Sequence, residues 1–302
     1  MTKWCNIKNK LIIDAAYVNK FMQNVAVNIE EVLEDKKMSD KTSLGDRMKI
    51  YEKLNATALM PHLPVIARID GRAFHTFCRG FDKPFDMRMV AAMQSTTEFI
   101  FNEFNPMFAH TFSDEINLMW YYPEPEQQMV FGGKIQKLCS VLASAATLRF
   151  NEAKLELFEG NPIAERKAMF DCRVWNVPTT DEVANYFVWR EQDAARNSLQ
   201  MLSRAHYSHH ELEGKKQADM HEMLYKKAIN WNEQPMILKA GSYYRPNPTT
   251  PAELVKSRYP MLDGSLLNLP YSTDGKTPHE QRLRFIFRPE EREYDGTEKK
   301  AE

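Results

Sequence analysis

Apolar and polar positions change period several times along this chain, and each change predicts an element. AAYVNKFMQNVAVNIEEVLED carries helical apolar spacing ahead of the charged KKMSDKTS, and a second helix fits SLGDRMKIYEKLNAT, where Ser43 precedes Asp46 as an N-cap does. LPVIARID, Leu63 to Asp70, is apolar and β-branched enough for a strand that Gly71 breaks. Pro84 and Asp86 open a helix that places Met89, Met93, Thr97, Ile100 and Phe104 on one face. MFAHTF and INLMWYYP alternate in period two around a central Ser-Asp-Glu, the pattern of a half-buried antiparallel hairpin. Lys134 to Phe150 reads as a helix rich in small residues, and FDCRVWNVP as a strand ended by Pro178. Thr179 and Glu182 begin a helix reaching about Ala205. Ala218 to Ile229 is a shorter helix, and MILKAGSYYR a closing strand.

The order is β-α-β-β-α-β followed by further helices. It predicts an α+β fold of ferredoxin-like type, an antiparallel sheet with helices on one face. Three regions follow: a helical extension over 1–42, the main domain over 43–245, and a loosely ordered tail over 246–302, where prolines, glycines and charges accumulate.

Composition narrows the class. A chain of 302 residues with 43% hydrophobic and 11% aromatic content sustains a core. A formal net charge of −1 excludes a polycation that coats nucleic acid as a whole. The four cysteines are widely spaced without a CxxC pair, which argues against zinc ribbons and disulfide frameworks. No apolar run suits a membrane span, so a cytoplasmic protein without a membrane partner is expected. The 17 methionines fall on helical apolar faces and read as core.

The candidate chemistry starts at RIDGRAFHTFCRGFDKPFD, residues 68–86. Asp70 ends a buried strand, and such a carboxylate needs a partner. That partner is either Arg68 or Arg72, or a metal ion shared with Asp114 and Glu115 of the hairpin turn. Paired carboxylates select a hard cation such as Mg²⁺, which takes substrate phosphates as further ligands and so points to phosphoryl or nucleotidyl transfer. Lys83 lies just before a helix start, where a lysine meets a triphosphate or sits solvated in its loop. His206 and His210 are spaced i, i+4, but no acid or cysteine completes a zinc set with them. With His209, His221, Lys215 and Lys216 they read as a solvated helix surface or a local contact to RNA phosphate.

Six ordered blocks now carry a resemblance: RIDGRAFHTF, DKPFD, SDEINL, LASAATLRFN, FDCRVWNVP and WREQDAARNSLQ. From about Ser43 to Tyr244 the chain resembles the tRNA(His) guanylyltransferase family, and within it the bacterial and archaeal "like" branch of 3′–5′ nucleotide-adding polymerases. The resemblance implies a polymerase-type palm. It implies two Mg²⁺ ions on Asp70, Asp114 and the Gly71 carbonyl, with Glu115 as acidic neighbour of the second metal aspartate. It also implies a nucleotide site made of Asp70, Gly71, Arg72, Ala73, Phe74, His75, Ser113 and Asp114, with Lys83 on the triphosphate. GTP and ATP are then substrates and tRNA the partner: a 5′-monophosphate is activated, and the 3′-hydroxyl of an incoming nucleotide attacks it. A homotetramer is implied as well. Two departures stand out. Ala195-Arg196-Asn197-Ser198 replaces a His-Ile-Asn-Asn-type block, and Phe112 precedes Ser-Asp-Glu where glutamine is usual.

The resulting expectation is tRNA 5′-end repair by templated addition, or addition of one guanine to tRNA(His). With Arg196 free to grip phosphate, tolerance of many tRNAs follows, whereas pairing of Arg196 with Glu191 or Asp193 removes that role. A palm-type nucleotide cyclase and a catalytically inactive tRNA-binding protein are the competing classes.

Overall fold

The computed structural model describes residues 43–54, 56–246, 261–262, 265–267 and 277–287. The extension expected over 1–42 lies outside them. The chain divides into two units, 1–57 and 58–302. In the first, helix α1 spans Leu44–Lys53, and the Ser43 side chain accepts from the amide of Asp46 as the sequence predicts.

The second unit holds an antiparallel six-stranded sheet of order β4-β1-β3-β2-β5-β6. Its strands are β1 (Val65–Gly71), β2 (Phe108–Phe112), β3 (Glu115–Trp120), β4 (Phe170–Asn176), β5 (Ser242–Tyr244) and β6 (Met261–Leu262). The first four carry the ferredoxin-like connection, with α2 (Phe74–Phe77) and α3 (Met87–Phe104) between β1 and β2, and α4 (Ile135–Leu157) between β3 and β4. Asp86 caps α3 by accepting from the amide of Arg88, and the five residues expected on one face of that helix are all buried. Four of them, Met89, Met93, Ile100 and Phe104, pack with Val65, Ala67, Ile69, Ile116, Leu118 and the α4 residues Leu142, Ala146 and Phe150 in the larger core.

The expectation of helices on one face needs correction. The long helix α5 (Thr180–His206) covers the other face, where Val183, Ala184 and Phe187 meet Ile66, Phe108, Met119 and Tyr243. On this face Ile66 of β1 pairs with Met119 of β3, which in turn pairs with Phe108 of β2, and these large apolar side chains had to be buried as well. A third cluster joins Leu199 and Leu202 of α5 to Leu212 of α6 (His209–Leu212) and to Met220 and Leu224 of α7 (Gln217–Lys226). MILKAGSYYR divides into a turn of helix, α8 (Met236–Lys239), and the short β5.

The looseness expected after Pro246 does not hold for Ser265–Leu267 and α9 (Pro278–Phe287). Leu266 and Ile286 are buried in the second core. Their anchor is Glu191 of α5, a buried carboxylate that accepts from the hydroxyls of Tyr243 (2.5 Å) and Ser265 and from the amide of Leu266 (2.6 Å). A buried anion needs such donors, and this segment supplies them.

Candidate active site

The site forms where β1 ends beside the β2–β3 turn. Asp70 and Glu115 are register partners across β1 and β3. One step on, the Gly71 amide donates to the Asp114 carbonyl at 3.0 Å. Ser113 takes a positive φ of 55° in the tight turn, and its hydroxyl donates to Asp114 Oδ1 at 3.0 Å. Gly71 is required by close approach: a Cβ there would sit 2.3 Å from the Phe74 ring.

The two aspartates feel each other. Burial, then the charge of Asp70, pushes the Asp114 carboxyl up to about 6. Arg68 grips Asp70 Oδ2 with Nη2 at 2.8 Å, so the pairing with Arg68 weighed from sequence is present. Arg68 does not belong to Asp70 alone, since its Nε lies 2.8 Å from Glu115 Oε2. Glu115 Oε1 in turn accepts from Arg190 Nε (2.7 Å) and Asn117 Nδ2 (2.8 Å). Oε1 of Glu115 is thus held by two protein donors, while Oε2 lies against the Arg68 charge without a hydrogen bond from Nε.

Beyond the turn opens a cavity of about 580 Å³. Phe74, His75, Lys83, Ser113 and Asp114 line it, whereas Asp70, Gly71, Arg72 and Ala73 lie at its margin outside the lining. The loop that follows β1 is braced from outside. Arg166 Nη1 donates to the carbonyls of Phe77 (2.8 Å) and Arg79 (2.5 Å). The Arg166 carbonyl is itself held by buried Lys154 at 2.6 Å. Asp82 and Asp86 at the cavity wall are tied together by Arg88, whose Nη2 lies 2.9 and 2.8 Å from them.

The opposite wall comes from α5: Asn197, Gln200, Met201 and Arg204. Sequence reading named Asn197 but missed the other three. The signal was available in their i, i+3, i+4, i+7 spacing, a mostly polar stripe beside the apolar stripe that buries α5. Arg196 ion-pairs with Asp193 at 3.1 Å, the pairing weighed from the sequence beside a free phosphate-gripping charge. His206, His209 and His210 are exposed. Among the described residues no group of three His, Cys, Asp or Glu is arranged to hold a metal by itself.

A ferredoxin-like palm with two repelling aspartates at adjoining strand ends, opening on a cavity with a lysine, is the frame of a nucleotidyltransferase. Comparison with known proteins agrees. Residues 45–178 match the family described as tRNAHis guanylyltransferase. A bacterial tRNA(His) guanylyltransferase-like protein solved in complex with ATP is 37% identical, with a TM-score of 0.65 over 72% of this chain and 91% of that one. A second, in complex with GTP, is 30% identical, with a TM-score of 0.61 over 82% and 98%. The tRNA(His) guanylyltransferase of Debaryomyces hansenii is 29% identical over 65% of this chain and 77% of its own. An uncharacterized protein of Acanthamoeba polyphaga mimivirus is 31% identical, but the match spans 62% of its length. The chain belongs to the tRNA(His) guanylyltransferase family and is a nucleotidyltransferase of that family's palm type.

Proposed function

We propose that the protein adds nucleotides in the 3′–5′ direction to the 5′ end of tRNA, repairing truncated ends against the 3′ strand as template, or adding the extra guanine of tRNA(His). The observation that carries this reading is the juxtaposition of Asp70 and Asp114. Burial, then the Asp70 charge, raises the Asp114 carboxyl, and a hard divalent ion between the two carboxylates would offset both. Side chains of Asp70 and Asp114 and the Gly71 carbonyl are the donors for Mg²⁺, which retains waters and accepts phosphate oxygens. A full protein cage is therefore not needed. When bound, Mg²⁺ supplies Lewis-acid charge that lowers the pKa of an attacking hydroxyl and neutralises a triphosphate.

The chain's own residues do the rest. Lys83, at the cavity wall, offers a point charge to the triphosphate, and the turn after β1 offers the amides of residues 73–75, those of Gly71 and Arg72 being taken by the Asp114 and Met169 carbonyls. Phe74 and the Asp82–Arg88–Asp86 brace fix the loop that presents Lys83, so positioning rather than a general base carries the reaction, as in-line phosphoryl transfer allows. Binding of GTP and ATP by bacterial relatives of the same fold supports a nucleoside triphosphate in this cavity.

The test is to incubate the purified protein with Mg²⁺, nucleoside triphosphates and a tRNA lacking its 5′ nucleotide, then sequence the product's 5′ end. Restoration of the missing nucleotide is expected. A cyclic nucleotide formed without RNA would assign the palm to a cyclase instead.

A further inference from the structure

Five charged side chains alternate in sign from α5 to the end of β1. Asp193 Oδ2 holds Arg190 Nη2 at 2.8 Å, and Arg190 Nε holds Glu115 Oε1 at 2.7 Å. Glu115 Oε2 lies 2.8 Å from Arg68 Nε, an ion pair whose angle makes no hydrogen bond, and Arg68 Nη2 donates to Asp70 Oδ2 at 2.8 Å. We propose that Arg190 is a positioning residue for nucleotide transfer, fixing the Asp70 carboxylate through Glu115 and Arg68. The inference rests on the Mg²⁺-dependent reading given above. It adds Arg190 of α5 to the machinery.

Arg68 is shared by Asp70 and Glu115, so its hold on Asp70 depends on what else satisfies Glu115. Arg190 does so from a fixed place. It is buried, its guanidinium stacks 4.3 Å above the Trp189 ring, and Asp193 takes its other arm. Asn117 adds a neutral donor to the same Glu115 oxygen and is itself held by the Tyr186 hydroxyl, again from α5. Without Arg190, Glu115 faces Asp70 and Asp114 as a third under-compensated carboxylate and draws Arg68 toward itself. Asp70, already repelled by Asp114, then loses its fixed orientation. A planar, forked donor is needed at Arg190, because it donates to Glu115 and Asp193 at once.

Simple electrostatics predicts the opposite sign, which makes the proposal testable. Deleting a positive charge near a cation site tightens cation binding if charge is all that matters. Loss of a positioning residue weakens it. The probe is Mn²⁺ alone, titrated onto the full chain and followed by electron paramagnetic resonance, beside steady-state kinetics on truncated tRNA. Arg190→Met is expected to weaken Mn²⁺ binding and lower kcat by about tenfold or more each, as supports of metal ligands do. Its nucleotide KM is expected to change by less than about threefold, because uniform binding is untouched. Arg190→Lys should fall between, and Arg190→Met combined with Glu115→Gln should be no worse than the worse single variant, because both break one chain. A folded Arg190→Met protein with unchanged or tighter Mn²⁺ binding overturns the proposal. A wild-type protein that neither binds Mn²⁺ nor adds nucleotides overturns the functional reading beneath it instead.

Discussion

The amide of Gly71 donates to the carbonyl of Asp114 at 3.0 Å, and this one bond ties the end of β1 to the β2–β3 turn. It sets the separation of the two aspartates, because neither backbone can move without the other. The arrangement explains why Asp114 is held above the ordinary carboxylate range while Asp70 is kept in place by Arg68.

Asp70→Ala and Asp114→Ala should therefore each lower nucleotide addition by at least about 100-fold, the scale expected when a cation ligand of the transition state is lost. Their unfolding midpoints in urea should stay near wild type or rise, since removing one carboxylate relieves repulsion rather than opening a core cavity. Activity above a tenth of wild type in a folded variant contradicts the assignment.

Lys83→Ala should raise the nucleotide KM by about tenfold, the weight of one charge-assisted contact. Its affinity for tRNA, measured by filter binding, should hardly change. The reverse pattern would place Lys83 in an RNA groove.

Much of this site was legible in the sequence because local chemistry and tertiary role coincide there. Asp70 before Gly71, the Ser113-Asp114-Glu115 turn and the Asp86 cap each announce a strand end, a hairpin or a helix start, and the structure brings them together. What was not legible depends on long-range partners. Nothing within α5 alone says that Arg190 reaches Glu115, 75 residues earlier. Nor does the mixture of prolines and charges after Pro246 reveal that Ser265 and Leu266 satisfy a buried acid. The pairing of Arg196 with Asp193, one of the two alternatives weighed from the sequence, follows ordinary i, i+3 geometry.

Glu191 gives a stability test of that C-terminal anchor. Glu191→Ala removes the carboxylate to which the Tyr243 hydroxyl and the Leu266 amide donate. Each buried orphan is costly, so a loss of about 3 kcal/mol in urea unfolding is expected. New proteolytic cleavage near residues 265–267 should accompany it. Cleavage and stability both unchanged would mean that the segment is held by other contacts.

His110 predicts a pH dependence. Burial lowers its imidazole from 6.5 to about 4, against the opposing pull of its bond to the Ala240 carbonyl at 2.7 Å and of nearby Glu191. That bond assigns the proton to Nε2, and Nδ1 is buried with no partner among the described residues. The folded pKa lies below the unfolded one, so the unfolded state takes up protons first. Stability is complete above about pH 6.5 and falls toward about pH 4, by about 3 kcal/mol over the window from this residue. Urea unfolding of wild type and His110→Gln at pH 7 and pH 5 isolates the effect. The variant should lose less between the two pH values, and equal losses would assign the dependence elsewhere.

The most direct test of the central claim is a template swap. Truncated tRNAs that differ in the 3′-strand base opposite the vacant 5′ position are incubated with Mg²⁺ and all four nucleoside triphosphates, using wild type and Asp114→Asn. The account predicts that wild type adds the complement of each template base and that Asp114→Asn adds nothing measurable. Addition that persists in Asp114→Asn, or no addition to any of the tRNAs by wild type, would contradict it.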